Sequence, residues 1–337
     1  MTYHRNSSSA LGRGLRKALM GSAMALMMGT YAQADDLTVA YFPGWPTTHQ
    51  VGEEKGWFNK AVGMDVQFRE FDTGSAMAAA MLSGDVKVAY SMGVIPFVIA
   101  VTKGAPLDLV GVAVTYSEND NCVVRDESGI DSPLDLKGKT VGVPFGTVSH
   151  YKMLKTFENI GVDVGTMKVV DMAPPDIAAA MSRGDVDMGC GWEPALSRML
   201  ENGRLLISAK EQESWGLKVF DVIVVNREFA NKNPEKVSAF LATVDQSTDF
   251  YQANKDQSIG IISKRAGISE EQTRSIMAKF GFPKRDEQLS DAWMGKDVPA
   301  FLKGVADVMV ANGEMDKALD DYSPYVKADY YRNTTAP

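Results

Sequence analysis

Ala78-Ala79-Ala80-Met81-Leu82-Ser83-Gly84-Asp85-Val86 returns one hundred residues later as Ala178-Ala179-Ala180-Met181-Ser182-Arg183-Gly184-Asp185-Val186, with seven of nine positions identical. Each copy reads as a helix of small residues, a glycine that stops it by taking positive φ, and an apolar strand over 86–90 or 186–190. Each strand then enters a glycine-bearing turn, Ser91-Met92-Gly93 or Gly191-Trp192-Glu193. Two equivalent units predict two equivalent α/β lobes.

Further strands are read from short β-branched runs over 37–41, 66–71, 107–114, 140–143 and 168–170. Helical stretches lie between them, over 48–57, 149–159 and 177–183, and this alternation predicts mainly parallel sheets covered on both faces. The runs 122–125 and 222–226 bracket the second copy and are read as two crossings between lobes. Residues 121–225 then form a lobe inserted into one built from 35–120 and 226–337, with helices expected over 234–250, 270–280 and 298–310.

At the beginning of the chain, Arg5, Arg13, Arg16 and Lys17 precede an apolar run over 18–28 that ends in Ala32-Gln33-Ala34, the grammar of a secretory signal peptide over 1–34. That run is about half the ~20 residues a bilayer span needs. No cysteine near the junction could carry a lipid, so a free periplasmic protein is expected. The formal net charge of −8, with no basic cluster, argues against nucleic acid and anionic lipid as partners. Cys122 and Cys190 can close a disulfide in such a compartment or stay as buried thiols, and the sequence leaves both open. Beyond the leader, His49 and His150 lie far apart, without acids or cysteines at ligand spacing, so no metal is expected. G-x-S-x-G, P-loop and G-x-G-x-x-G motifs are all missing, so no cofactor and no catalytic residues are expected.

In open α/β sheets ligands bind beyond the carboxyl ends of the strands, which nominates the loops 42–48, 91–96, 116–121, 145–150 and 192–194, with Asp221 from the return crossing. Thr147, Ser149 and His150 open a helix, where main-chain N–H groups suit a sulfonate or carboxylate; helix capping is the bland alternative for the two hydroxyls. Gly93 offers N–H groups from the other lobe. Glu118, Asp120, Glu193 and Asp221 are the acids available to an ammonium group, and Asp221 in particular is an acid inside an apolar strand that needs a partner. Glu193 could instead serve only the dipole of the helix that Pro194 opens. Tyr41, Phe42, Trp45, Tyr116 and Trp192 add aromatic surface to the same loops, with a core role open for Tyr41 and Phe42.

Over most of the chain beyond the leader, the sequence resembles the periplasmic taurine-binding proteins of the nitrate, sulfonate and taurine importer class. The resemblance is carried by Thr38-Val39-Ala40-Tyr41, Phe71-Asp72-Thr73-Gly74, Gly84-Asp85-Val86, Val143-Pro144-Phe145, Ser149-His150-Tyr151, Pro174-Pro175, Gly184-Asp185-Val186-Asp187, Trp192 with Pro194-Ala195, Asp221-Val222, and Asp321-Tyr322-Ser323. It implies a two-lobe type II periplasmic-binding fold and a small zwitterionic or sulfonated solute held by both lobes. It also implies delivery to an ABC permease and ATPase complex, with the receptor a monomer. Asp221 matches an acid assigned to the amino group, and the Thr147 turn matches one assigned to ligand oxygens. The chain departs from the pattern at Val94 and Ile95, where serines are usual, at Phe42, Pro43 and Trp45, and at Glu193, which point toward a larger or more alkylated amine. The alternatives are a receptor for an amine or betaine-like cation caged by Trp45, Trp192 and Tyr116, and an enzyme of precursor synthesis on the same fold.

Overall fold

The computed structural model describes residues 36–215 and 217–334. The expected signal peptide over 1–34 lies outside them. Among the described residues eleven strands are formed, in chain order: β1 (Asp36–Tyr41), β2 (Asp65–Glu70), β3 (Val88–Gly93), β4 (Leu107–Tyr116), β5 (Asp120–Arg125), β6 (Thr140–Val143), β7 (Lys168–Asp171), β8 (Met188–Trp192), β9 (Gly203–Leu205), β10 (Phe220–Asn226) and β11 (Phe280–Gly281). They make two sheets, β11-β4-β10-β3-β1-β2 and β7-β6-β8-β5-β9. The second sheet comes from one continuous stretch, and the first from the chain on both sides of it.

Each sheet is mixed. Parallel pairs join β1 to β2 and β3, and β6 to β7 and β8. β10 runs antiparallel to both β3 and β4, and β5 antiparallel to β8 and β9. The runs 122–125 and 222–226 are therefore members of the sheets and not connections between them. The apolar character of 222–225 comes from burial on both faces, six of the seven residues of β10 being buried. The chain passes between the sheets just outside these strands, first through 117–119 and later on its way into Phe220.

The repeated motif forms the helices Gly74–Ser83 and Pro174–Arg183, each stopped by a left-handed glycine, Gly84 at φ +85° and Gly184 at φ +81°. The strands that follow start two residues later than the sequence predicts. The Val86 N–H still bonds the Ala80 carbonyl and the Asp185 N–H the Ala180 carbonyl, so these residues close the helix end before pairing begins. Of the later helices, Pro234–Ala253, Glu270–Met277 and Asp297–Ala311 match the expectation, while Lys255–Ala266 was not anticipated because its apolar residues are sparse. Asp297–Ala311 packs on the helix Val94–Thr102 beside the first sheet and also reaches the helix Val148–Ile160 of the second. Among the described residues no helix is long and apolar enough to cross a membrane.

Cys122 and Cys190 are joined by a disulfide across directly paired positions of β5 and β8. Next to this bond, Gly189 lets the helix Pro174–Arg183 settle on β8. A Cβ at Gly189 would stand 2.4 Å from Ile177 Cγ2 and 2.5 Å from Met181 Sδ. Those side chains belong to a separate apolar cluster, with Val186 and Met199, that serves the second sheet. Gly189→Ala should therefore overpack this cluster and cost about 1–3 kcal/mol of unfolding free energy; urea denaturation with an unchanged midpoint would show that the helix can shift to make room.

Candidate functional site

The antiparallel return of β10 places Asp221 at the start of its strand, opposite Gly93 at the end of β3. A hollow of about 330 Å³ of atom-free space, its mouth included, lies beyond this point. Phe42, Trp45, Gly74, Gly93, Pro96, Tyr116 and Asp221 line it from the first sheet's side, and Thr147, Val148 and Trp192 from the second's.

One end of the hollow is acidic. Asp221 is 2% exposed, and its carboxylate accepts a bond from the Tyr116 hydroxyl at 2.6 Å and from Ser91 Oγ at 2.7 Å. Among the described residues no lysine, arginine or histidine pairs with it. Burial therefore pushes Asp221 up to about 7, against the pull of its two hydroxyl donors; Asp120 nearby pushes the same way. Ser91 holds its position through a left-handed backbone, φ +66°, where no other non-glycine residue among those described is found. It also accepts a bond from Trp45 Nε1 at 3.1 Å.

The hollow also gathers the starts of three helices, Gly74–Ser83, Val94–Thr102 and Val148–Ile160, at Gly74, Gly93 and Thr147; Gly93 adjoins the acid, since a Cβ there would lie 3.8 Å from Asp221 Oδ1. First-turn N–H groups have no carbonyl within their own helix, and the dipole makes these ends attractive to anions. Pro96 in the second of these helices has no N–H to offer, leaving Val94 and Ile95 as its main-chain donors. Glycine permits the approach: a Cβ on Gly93 would lie 3.1 Å from Val148 Cγ2, and one on Gly74 only 2.5 Å from Pro96 Cγ.

Seven of the residues expected from the sequence thus meet around the hollow: Phe42, Trp45, Gly93, Tyr116, Thr147, Trp192 and Asp221. The others do not. Tyr41 bonds Glu70 and packs on His49 and Phe68. Glu118 is exposed at the surface, 3.8 Å from Lys279. Glu193 is buried and accepts a bond from the Ser197 N–H at 3.0 Å, within the helix that opens at Ala195 with Pro194 as its cap. His150 stacks on Phe145 and faces Glu314, and burial pushes it down to about 4. Ser149 donates to Asp120 at 2.8 Å, and Asp120 is buried beside Lys152, whose Nζ holds the carbonyls of Ser117 and Asp120. Burial pushes Asp120 up to about 6 and Lys152 down to about 8. Thr147 lines the hollow, but its hydroxyl caps the helix, accepting from the His150 N–H and donating to the Pro144 carbonyl.

Ser91, Gly74, Pro96 and Val148 belong to the site and were not singled out. The signal for Gly74 was present in Thr73-Gly74, because Thr73 is the N-cap of its helix, 3.1 Å from the Ala76 N–H. Ser91 opens the nominated loop 91–96, but its role depends on a backbone conformation that serine rarely adopts.

A family model described as NMT1/THI5 like matches residues 47–258, a stretch that contains Asp221 and the three helix starts. The chain belongs to the NMT1/THI5-like family. A curated relative, the taurine-binding periplasmic protein of Escherichia coli K12, is 28% identical over 89% of this chain and 93% of its own length. Two solved structures share the fold of this family member. The periplasmic aliphatic sulphonate binding protein SsuA from Escherichia coli superposes with a TM-score of 0.71 at 22% identity, covering 89% of this chain and 99% of that one. The alkanesulfonate-binding protein SsuA from Xanthomonas axonopodis pv. citri bound to MOPS gives 0.73 at 20% identity, covering 88% and 99%.

The buried acid carries a stability consequence with a defined sign. Its folded-state pKa is about 7, above the ~3.9 of an unfolded aspartate, so its contribution is most favourable below pH ~4 and is lost as pH rises through 7. Asp221→Asn removes that loss. Without ligand, the variant should gain on the parent chain by a few kcal/mol as pH rises from about 4 to 8, measured by urea unfolding. A constant difference across this range would mean that the acid is compensated inside the protein.

Proposed function

We propose that this NMT1/THI5-like chain is an exported, periplasmic solute-binding protein that captures taurine or a similar small aminosulfonate and delivers it to an ABC permease and ATPase complex. The observation that carries this reading is the make-up of the hollow: a buried carboxylate without a counter-cation and three helix starts line the same small space. A short zwitterion satisfies both at once. Its ammonium group would sit against Asp221, whose two oxygens already accept from Tyr116 and Ser91 and keep lone pairs to spare. Its sulfonate would take main-chain N–H groups at Gly74, Val94 and Val148. Phe42, Trp45, Tyr116 and Trp192 would enclose the alkyl segment and exclude water.

In this reading residues 35–120 and 226–337 form one lobe and 121–225 the other, each supplying part of the contacts, so that binding itself drives closure. The receptor works as a monomer and needs no reacting group. The taurine-binding relative named above and the sulfonate-binding proteins that share the fold support the ligand class.

Calorimetry with taurine, isethionate and a quaternary amine tests the proposal. Taurine should bind much more tightly than isethionate, which lacks the ammonium group. Asp221→Asn should weaken taurine roughly tenfold to more than a hundredfold, the ~1.5–3 kcal/mol of a charged hydrogen bond. Equal affinity for isethionate sinks the role of Asp221, and preference for the quaternary amine favours the cation receptor instead. The affinity should also follow pH. An alkylammonium stays charged from pH 5 to 8, whereas Asp221 takes up a proton below about 7, so taurine affinity should fall by up to about tenfold per unit below that point. A flat profile from pH 5 to 8 would remove the carboxylate from the binding step.

A further inference from the structure

Beside the inner hollow lies a second and larger one, of about 1090 Å³ of atom-free space opening to solvent. Phe42 and Trp192 line both. Phe42 follows β1 of the first sheet, and Trp192 ends β8 of the second. Their ring centroids stand 5.8 Å apart at 52°, so the two rings touch across the gap between the sheets. The backbone closes the same gap next to them: Gly44, at φ +68°, approaches Pro194 so closely that a Cβ would lie 3.0 Å from Pro194 Cδ. Among the described residues, the only side chains common to the two hollows are these two rings. They are apolar on both sides, and no hydrogen bond is recorded to the Trp192 indole among the described residues.

We propose that the Phe42–Trp192 pair is a partition that limits the length of the ligand, and that the outer hollow is a subsite for a substituent on the ligand's amine. The inference rests on the aminosulfonate reading. A ligand held at Asp221 and at the helix starts can be extended at its nitrogen and still keep two N–H groups for Asp221 and its sulfonate for the helix starts. Pro43, Pro174, Pro175 and Ile268 give the outer hollow apolar surface, while Asp72 and Arg198 stand at its exposed parts. That surface suits an alkyl or cycloalkyl group. With both rings in place such a group meets aromatic carbon, and removing one ring joins the two spaces.

The test compares taurine with N-butyltaurine by calorimetry on the unaltered full chain, Phe42→Ala and Trp192→Ala. The readout is the ratio of the two affinities on one preparation, so that partial loss of folded protein cancels. The unaltered chain should prefer taurine by at least about a hundredfold, and removal of either ring should cut that preference by tenfold or more. A ratio unchanged in both variants overturns the partition, as does a pair of variants that bind neither ligand, which makes the rings a structural contact. Equal binding of the two ligands by the unaltered chain overturns the length limit and leaves the aminosulfonate reading standing. Binding of neither by the unaltered chain overturns both.

Discussion

A carboxylate buried without a counter-charge is the constraint around which this protein is arranged. Taking an ionised group out of water costs several kcal/mol unless paired charge or hydrogen bonds offset it. At Asp221 the offset is partial: two hydroxyls donate to it, and burial still drives its pKa up to about 7. The hydroxyls are themselves held. Ser91 is fixed by a left-handed backbone and by Trp45 Nε1, and Tyr116 packs edge-on against the Trp45 ring at 5.1 Å. The acceptor atoms are thus oriented before any ligand arrives, so a cationic guest gains the full benefit of pairing without first ordering the site.

Chain topology makes this arrangement available. A strand that continued the parallel order of β2, β1 and β3 would end, not begin, at the cavity edge. β10 instead returns antiparallel, so its first residues stand beside the last residues of β3 and β4. Asp221 therefore meets Gly93 and the starts of helices that follow the parallel strands. The acid and the helix starts come from one local packing, which brings opposite polarities to the walls of one small hollow. The glycines at 74 and 93 are part of the same geometry, because a Cβ at either position would push the helix starts apart.

Much of this was legible in the sequence, for reasons that differ by residue. The duplicated motif announces two sheets because a small-residue helix, a left-handed glycine and an apolar strand are all local signals. Asp221 could be singled out because an acid in an apolar strand is a conflict that something must resolve. Gly93 and Thr147 followed from the rule that sites form at strand ends. Glu193, Ser149, His150 and Asp120 sit in equally promising loops, yet they serve nearby partners: a helix N–H, each other, an aromatic ring and a surface acid. Whether a polar side chain at a helix start turns inward to the cavity or back to its own helix depends on rotamer and packing, which sequence spacing does not encode. Ser91 shows the converse, since its contribution depends on a backbone angle that its identity argues against. The runs 122–125 and 222–226 misled in another way: uninterrupted apolar residues signal burial on both faces but not whether a segment joins a sheet or links two.

The aromatic residues show how burial changes a chemical reading. As a sequence they suggest a cage whose faces attract a cation at about 0.5–2 kcal/mol each. In the fold, Trp45 is 2% exposed, pressed between Tyr116 and Phe280, and its indole N–H is spent on Ser91. A ring packed edge-on among other rings has little face left for a cation. Phe42 and Trp192 retain surface on the hollow, but their rings touch each other and serve as one of its walls. In the proposed reading, selection by this site falls to two terms, the pairing of a desolvated carboxylate with a hydrogen-bonding ammonium and the volume that the walls leave. A quaternary cation has no N–H to give Asp221 and more bulk to place, so it loses on both. A short primary amine joined to a compact anion gains on both, and the aromatic surface adds to its affinity mainly by keeping water from the carboxylate.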